Sequence, residues 1–271
     1  ASDFASRHAA RRHAARRHAA RSRPVARGGR VTVHLVGAGP GDPSLLTVAA
    51  AELIRRARVV VYDRPSMDAI VALAPADAER HVVGLAPGQR ALSQPEVNAL
   101  LVELGRTHDE VVRLKSGDPF VASRGGEEAL ALQTAGVPVN VIPGVSSALA
   151  APAAAGIPLM MRQSSVTATF VSGDDDDEHA EPPDWHALGA LGGTLVILTG
   201  RARIRRIAAK LIEGGRAPDT PIAAISAASR DRQRILRGTL TDLPAPLPPP
   251  VTFVVGHAAA LELTCTSPKA S

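Results

Sequence analysis

Two glycine-bearing turns hold the residue types and spacings in this chain most suited to chemistry. The first, Gly37-Ala38-Gly39-Pro40-Gly41-Asp42-Pro43, follows the apolar run VTVHLV. The second, Ser116-Gly117-Asp118-Pro119, follows VVRLK and leads to Arg124-Gly125-Gly126. Glycine lets a backbone approach a ligand closely, and turns at the carboxyl ends of strands are where open α/β sheets bind. Two chemistries compete for the first turn. A dinucleotide fingerprint needs G-x-G-x-x-G, with helix amides free for a pyrophosphate. Here the spacing is G-x-G-x-G and the sixth position is Asp42, whose carboxylate is expected to cap the following helix and to repel phosphate. Asp63, closing the next strand, imitates the ribose-binding acid and keeps a nicotinamide reading as the alternative.

Pro40 and Pro43 stiffen the first turn and remove backbone donors, so it forms a wall rather than an anion cradle. A neutral or cationic ligand fits such a wall. S-adenosylmethionine, with a sulfonium, an adenine and no phosphate, is the expected donor, and no metal is needed.

The elements that must position these turns alternate along the chain. Strands are expected at VTVHLVG, RVVVYD, HVVGLA, EVVRLK and VPVNVI, separated by helices over 43–57, 66–74, 94–107 and 125–136. Asp42 is the expected N-cap of the first helix and Pro43 its first residue. The small-residue segment SSALAAPAAAG is read as a further helix. Short apolar runs interleaved with helices predict a parallel sheet covered on both faces. Beyond Ile157 the texture changes. VTATFVSG, TLVILTG, TPIAAISAA, QRILRGTL and VTFVVG read as strands around one helix, IRRIAAKLIEGG, with QRILRGTL a hairpin partner. The fold class expected is α/β, two α/β domains with a cleft between them: 31–156 and 157–261, hinged near Gly156–Pro158, with a frayed end over 262–271.

Totals narrow the function classes. The chain has 271 residues, 45% of them apolar, enough for two modest cores. The net charge of +5 is uneven: residues 1–30 carry +8, in a repeat RHAAR-RHAAR-RHAAR, and the rest carries −3. The repeat is read as a disordered low-complexity extension, against a nucleic-acid arm or a targeting peptide. No nucleic-acid partner is expected for the nearly neutral body. One cysteine, Cys265, excludes a disulfide framework and suits a reducing cytoplasm. No apolar run approaches the roughly 20 residues of a membrane helix. The Asp174–Asp177 run reads as a solvated loop, and the nine histidines form no metal-spaced motif.

GAGPGDPSLLT, VVYDR, VVRLKSGDPF, SRGGEE and VIPGVSSALAA-x-x-AGIPL, in that order, resemble the tetrapyrrole methylases. The YDR and RLK-x-GDPF-x-x-x-RGGEE forms are most similar to members that C-methylate uroporphyrinogen III on the way to sirohaem or cobalamin. The resemblance runs from about Val31 to Gly256. It implies a homodimer of two-domain chains, with donor and tetrapyrrole in the cleft. Residue by residue, it implies that Pro40, Ser116, Gly117, Asp118, Val121, Ser146, Ser147, Thr199 and Ala228 bind the donor. Asp63 matches the family's acid for proton acceptance or charge stabilisation.

The acceptor carries eight carboxylates, so arginines should face it. Arg64, Arg113, Lys115, Arg124, Arg162 and Arg201 are the candidates, with Arg64, Arg124 and Arg162 the preferred set. Several family positions are changed here. The lysine of V-G-K-R-x-G is Leu85 in Val83–Gly88, and T-H-R-D-Y is Met160–Ser164, keeping Arg162. The methionine of Y-M-G is Thr199, and E-N-G is Ser226-Ala227-Ala228. These changes leave open another precorrin as acceptor, or a non-catalytic donor-binding homologue.

Overall fold

A computed structural model of the chain describes residues 33–64, 67–85, 87–88, 90–162, 165–173 and 181–264. The Arg/His/Ala repeat, the Asp174–Asp177 run, Ala86, Gln163, Ser164 and Cys265 lie outside the described residues.

The first sheet is built from β1 (Val33–Gly37), β2 (Val59–Tyr62), β3 (Glu79–Val82), β4 (Val111–Lys115) and β5 (Val139–Ile142). Their order is β3-β2-β4-β1-β5, all parallel. Alternation along the central strands divides their side chains between two apolar layers. Val36, Val60, Val112 and Leu114 pack on α1 (Val48–Arg56) and α2 (Asp68–Val71). Leu35, Val59, Val61 and Val111 pack on α3 (Gln94–Thr107) and on Leu132 of α4 (Gly125–Thr134). β3 is an edge strand, which explains why it begins at polar, exposed Glu79 and Arg80 rather than at the apolar HVVGLA expected.

Local chemistry sets the helix limits. α3 coincides with its expected span because Ser93 and Glu96 form a capping box. The helix expected over 43–57 is broken in two. Asp42 caps only a 3-10 turn, Pro43–Leu45, accepting from Ser44 N at 2.8 Å. Thr47, in extended backbone, then caps α1 through Ala50 N at 3.2 Å.

The second sheet contains β6 (Ala168–Ser172), β7 (Thr194–Leu198), β8 (Pro221–Ser226), β9 (Arg234–Thr239) and β10 (Val251–Val255), ordered β6-β7-β10-β8-β9. Only β6–β7 is parallel; β8 and β9 form the expected antiparallel pair. α5 (Ser147–Ala154) leaves the first sheet in sequence but packs on the second. Its Ala148, Ala151 and the following Ala155 lie against Val196, Ala223, Ile225 and Val254, and small side chains permit this close approach. The opposite face carries α6 (Trp185–Ala190) and α7 (Ile204–Glu213). Leu211 there is fully buried, worth about 2 kcal/mol against exposure. α6 falls just after the expected polar loop. It is six residues long and started by Asp184, which accepts from Ala187 N at 3.0 Å. Within the end expected to fray, Leu263 N donates to Gly156 O at 3.1 Å, and residues 265–271 lie outside the described residues. Among the described residues no helix is long and apolar enough to cross a membrane.

Candidate active site

The carboxyl ends of β1, β4 and β5 meet at three glycines. A Cβ on Gly144 would lie 2.3 Å from Gly117 O and 2.7 Å from Gly37 Cα, so only glycine fits this junction. Gly39 and Gly117 then bond reciprocally, N to O, at 3.1 and 2.8 Å. Ala38 N donates to Lys115 O at 2.8 Å. Pro40 has no N–H. The amides of Ala38, Gly39 and Gly117 are therefore engaged with the protein itself, and the first turn forms a wall at these positions.

A cleft of about 430 Å³ opens over this junction. From the first sheet it is lined by Gly39, Pro40, Arg64, Ser116, Gly117, Val121 and Ala122, with Ser146 and Ser147 from the start of α5. The second sheet supplies the turn after β7 (Leu198–Ala202), Ile225 and Ala228 at the end of β8, Arg230, and Pro249–Thr252 entering β10. The volume lies in the range of small-molecule sites. Small and apolar walls with few free amides fit an adenosine-bearing, phosphate-free donor.

Of the donor residues expected from sequence, Pro40, Ser116, Gly117, Val121, Ser146, Ser147, Thr199 and Ala228 come together in this lining. Asp118 does not line it. Its carboxylate accepts from Phe120 N at 2.8 Å and from Gly144 N at 3.0 Å, tying the second turn to the glycine junction. The Ser146 hydroxyl accepts from Ala148 N at 3.2 Å as the cap of α5. Among the described residues, the non-glycine residues in left-handed backbone are Ala122, Arg124, Thr199, Ala227 and Ser229, all in the loops around this cleft. Each such conformation costs about 1 kcal/mol, a load typical of functional loops.

Beneath the second turn lies a buried ion cluster. Arg113 Nη2 donates to Asp63 Oδ1 at 2.5 Å and to Glu128 Oε1 at 2.9 Å, while Lys115 Nζ reaches Glu128 Oε1 at 2.6 Å. Burial alone would raise the Asp63 carboxyl. The charges of Arg113 and Lys115, the Arg113 hydrogen bond and the Ser116 N–H outweigh it and hold the group below the usual carboxylate range. Burial and the adjacent Arg113 charge lower the Lys115 ammonium. Arg113 and Lys115 are thus corrected as acceptor-facing candidates: both are buried and paired internally.

Among the preferred cations, Arg64 lines the cleft, as does Arg201. Arg124 and Arg162 are exposed outside its lining, Arg124 at the N-terminus of α4 in left-handed backbone. Leu85 is 75% exposed. Among the described residues no group of three or more His, Cys, Asp or Glu converges as a metal would require. Arg230 and the Pro249–Thr252 wall are cleft residues that sequence reasoning missed. The LPAPLPPP run before β10 was the available signal for the wall, since consecutive prolines make a rigid surface.

Residues 32–244 match the family model of the tetrapyrrole (corrin/porphyrin) methylases. The chain is 45% identical over 212 residues to the S-adenosyl-L-methionine-dependent uroporphyrinogen III methyltransferase of Methanosarcina barkeri, covering 78% of this chain and 83% of that one. It is 42% identical over 248 residues to the uroporphyrinogen-III C-methyltransferase of Paracoccus denitrificans, covering 90% and 86%. Among solved structures, uroporphyrin-III C-methyltransferase from Thermus thermophilus in complex with S-adenosylhomocysteine superposes with a TM-score of 0.74 at 40% identity, covering 84% of this chain and 98% of that one. With a matched span that takes in the first sheet, β6 to β9 and most of the cleft lining, the chain belongs to the tetrapyrrole methylases.

Proposed function

We infer that the chain is an S-adenosylmethionine-dependent C-methyltransferase that converts uroporphyrinogen III through precorrin-1 to precorrin-2, for sirohaem or cobalamin synthesis. The observation that carries this is the cleft at the ends of β1 and β4, whose two turns bond to each other through the Gly39 and Gly117 amides and so withdraw those amides from a phosphate. The relatives named for this reaction support it.

When bound, the donor supplies a methyl group on a sulfonium, and a pyrrole carbon of the reduced tetrapyrrole is the nucleophile. The chain's contribution is alignment and exclusion of water, which can account for a large part of such a rate enhancement. In this reading Pro40, Ser116, Gly117, Val121, Ser146, Ser147, Thr199 and Ala228 hold the donor, and Asp118 positions them. Arg64 meets acceptor carboxylates inside the cleft, with Arg124 and Arg162 toward its outside. Asp63, held ionised by Arg113, is a weak base, so it steadies positive charge developing on the acceptor more than it takes a proton. The two sheets act as lobes hinged near Gly156–Pro158. The enzyme works as a homodimer in the cytoplasm, and the exposed Met160, Met161, Val166 and Phe170, on and before the edge strand β6, offer it an apolar surface.

Incubation with S-adenosylmethionine and enzymatically generated uroporphyrinogen III yields mono- and dimethylated products. Intact donor binding without either product rejects the acceptor. A second reading, a sibling methylase for a later precorrin, is favoured by the altered acceptor-side residues at positions 160–164 and by Thr199, where the resembling family motifs differ. Turnover of that precorrin but not of uroporphyrinogen III would select it.

A further inference from the structure

Arg230 belongs to the loop between β8 and β9, yet its side chain reaches the first turn of the other sheet. Its Nε donates to Pro40 O at 3.1 Å. The guanidinium lies directly over Gly41, where a Cβ would come within 2.2 Å of both Nε and Nη2. Glycine at position 41 is thus what admits the arginine.

The loop that presents it is held in place. Arg230 N donates to Ala227 O at 3.2 Å and Gln233 N to Arg230 O at 2.9 Å. The Gln233 side chain accepts from Ser229 N at 2.7 Å and donates to Ala154 O at 3.0 Å. Left-handed backbone at Ala227 and Ser229 aims the segment into the cleft.

Among the described residues, the charge around Arg230 is not balanced by a carboxylate. It is half-buried, and Arg64 and Arg201 line the same cleft. Among the described residues no carboxylate forms an ion pair with any of the three. Burial, then the charges of Arg232 and Arg64, all act against its protonated form. Arginine does not deprotonate in proteins, so the positive charge persists and favours an anionic ligand. With Nε engaged by Pro40, the edge bearing Nη1 and Nη2 remains for a carboxylate, in the geometry a guanidinium recognises best.

We propose that Arg230 is a carboxylate-binding residue of the cleft, clamping the Pro40 turn with Nε while its outer nitrogens hold a carboxylate of a bound substrate. The proposal rests on the donor and acceptor assigned above, and that carboxylate is either the donor's amino-acid group or one of the acceptor's side chains. Arg230 thereby couples the placement of a substrate to the meeting of the two sheets.

The test uses the full chain with Arg230→Gln and Arg230→Lys. Calorimetry measures binding of S-adenosylhomocysteine and of 5′-methylthioadenosine, which keeps the adenosine and lacks the carboxylate; kinetics give KM for uroporphyrinogen III. If the donor supplies the carboxylate, Arg230→Gln weakens S-adenosylhomocysteine about tenfold, leaves methylthioadenosine unchanged, and Arg230→Lys recovers part of the loss. If the acceptor supplies it, KM rises about tenfold at unchanged affinity for both nucleosides, again with partial recovery by lysine. Equal weakening of both nucleosides would mean that Arg230 only braces the Pro40 turn, and overturns the proposal, as does no change in any of the three. Should the wild type bind S-adenosylhomocysteine without methylating uroporphyrinogen III, the acceptor assignment fails while the donor comparison still decides Arg230. A wild type that binds no S-adenosylhomocysteine removes the basis of both.

Discussion

Asp63 and Asp118 are both carboxylates of resembling motifs, yet they do different work. Asp63 is a quarter exposed and anchored on Arg113. Replacement by asparagine weakens a charge-assisted hydrogen bond, with an expected stability loss of about 2 kcal/mol at neutral pH. Because its folded-state pKa lies below the unfolded value of about 3.9, its stabilisation is complete above that value and disappears as pH falls through the folded one. Denaturant titrations of wild type and Asp63→Asn should therefore converge as pH drops from about 5 toward 2. Turnover of the variant falls while its donor affinity stays. Asp118→Ala shows the converse pattern. It frees the amides of Phe120 and Gly144, loosens the second turn and raises the S-adenosylhomocysteine Kd by about tenfold in calorimetry, equivalent to about 1.4 kcal/mol. An unchanged Kd would show that the turn keeps its shape without this tether.

At the scale of elements, three strand ends converge where no side chain fits. Gly144→Ala drives a methyl group into Gly117 O and Gly37 Cα, both backbone, and should cost about 3 kcal/mol in chemical denaturation. Gly126→Ala, in α4 with nothing within 4 Å, serves as the contrast and should stabilise by about 0.5 kcal/mol. Legibility in the sequence follows the same division. α3 was readable to the residue because a local capping box sets its start, and β8–β9 because two apolar runs stand close together. α6 was not, being six residues beside a polar stretch and held by burial of Trp185 against the second sheet. The two turns were recognisable because each follows its own strand directly. Arg230 was invisible because its partner, Pro40, is 190 residues away, and nothing local marks that contact. The pairing of Arg113 and Lys115 with Glu128 was likewise unreadable, since it depends on how β4 faces α4.

For the whole molecule, ligand binding and folding are linked through a cleft that both sheets line. A ligand held only by the folded chain stabilises it by about 2.7 kcal/mol at a hundredfold excess over Kd. S-adenosylhomocysteine should accordingly raise the melting temperature by several degrees, while NAD at the same concentration leaves it unchanged. Reversal of that pattern would show that the amides at Gly39 and Gly117 part to accept a diphosphate. Their reciprocal bonds carry a thermodynamic corollary as well. Two loops from different strands already brace one another before any guest arrives, so little conformational freedom remains there to be lost on association. Capture of the nucleoside should then proceed as entry into a rigid socket, with rapid, single-phase kinetics and scarcely any accompanying change in amide exchange along either glycine loop.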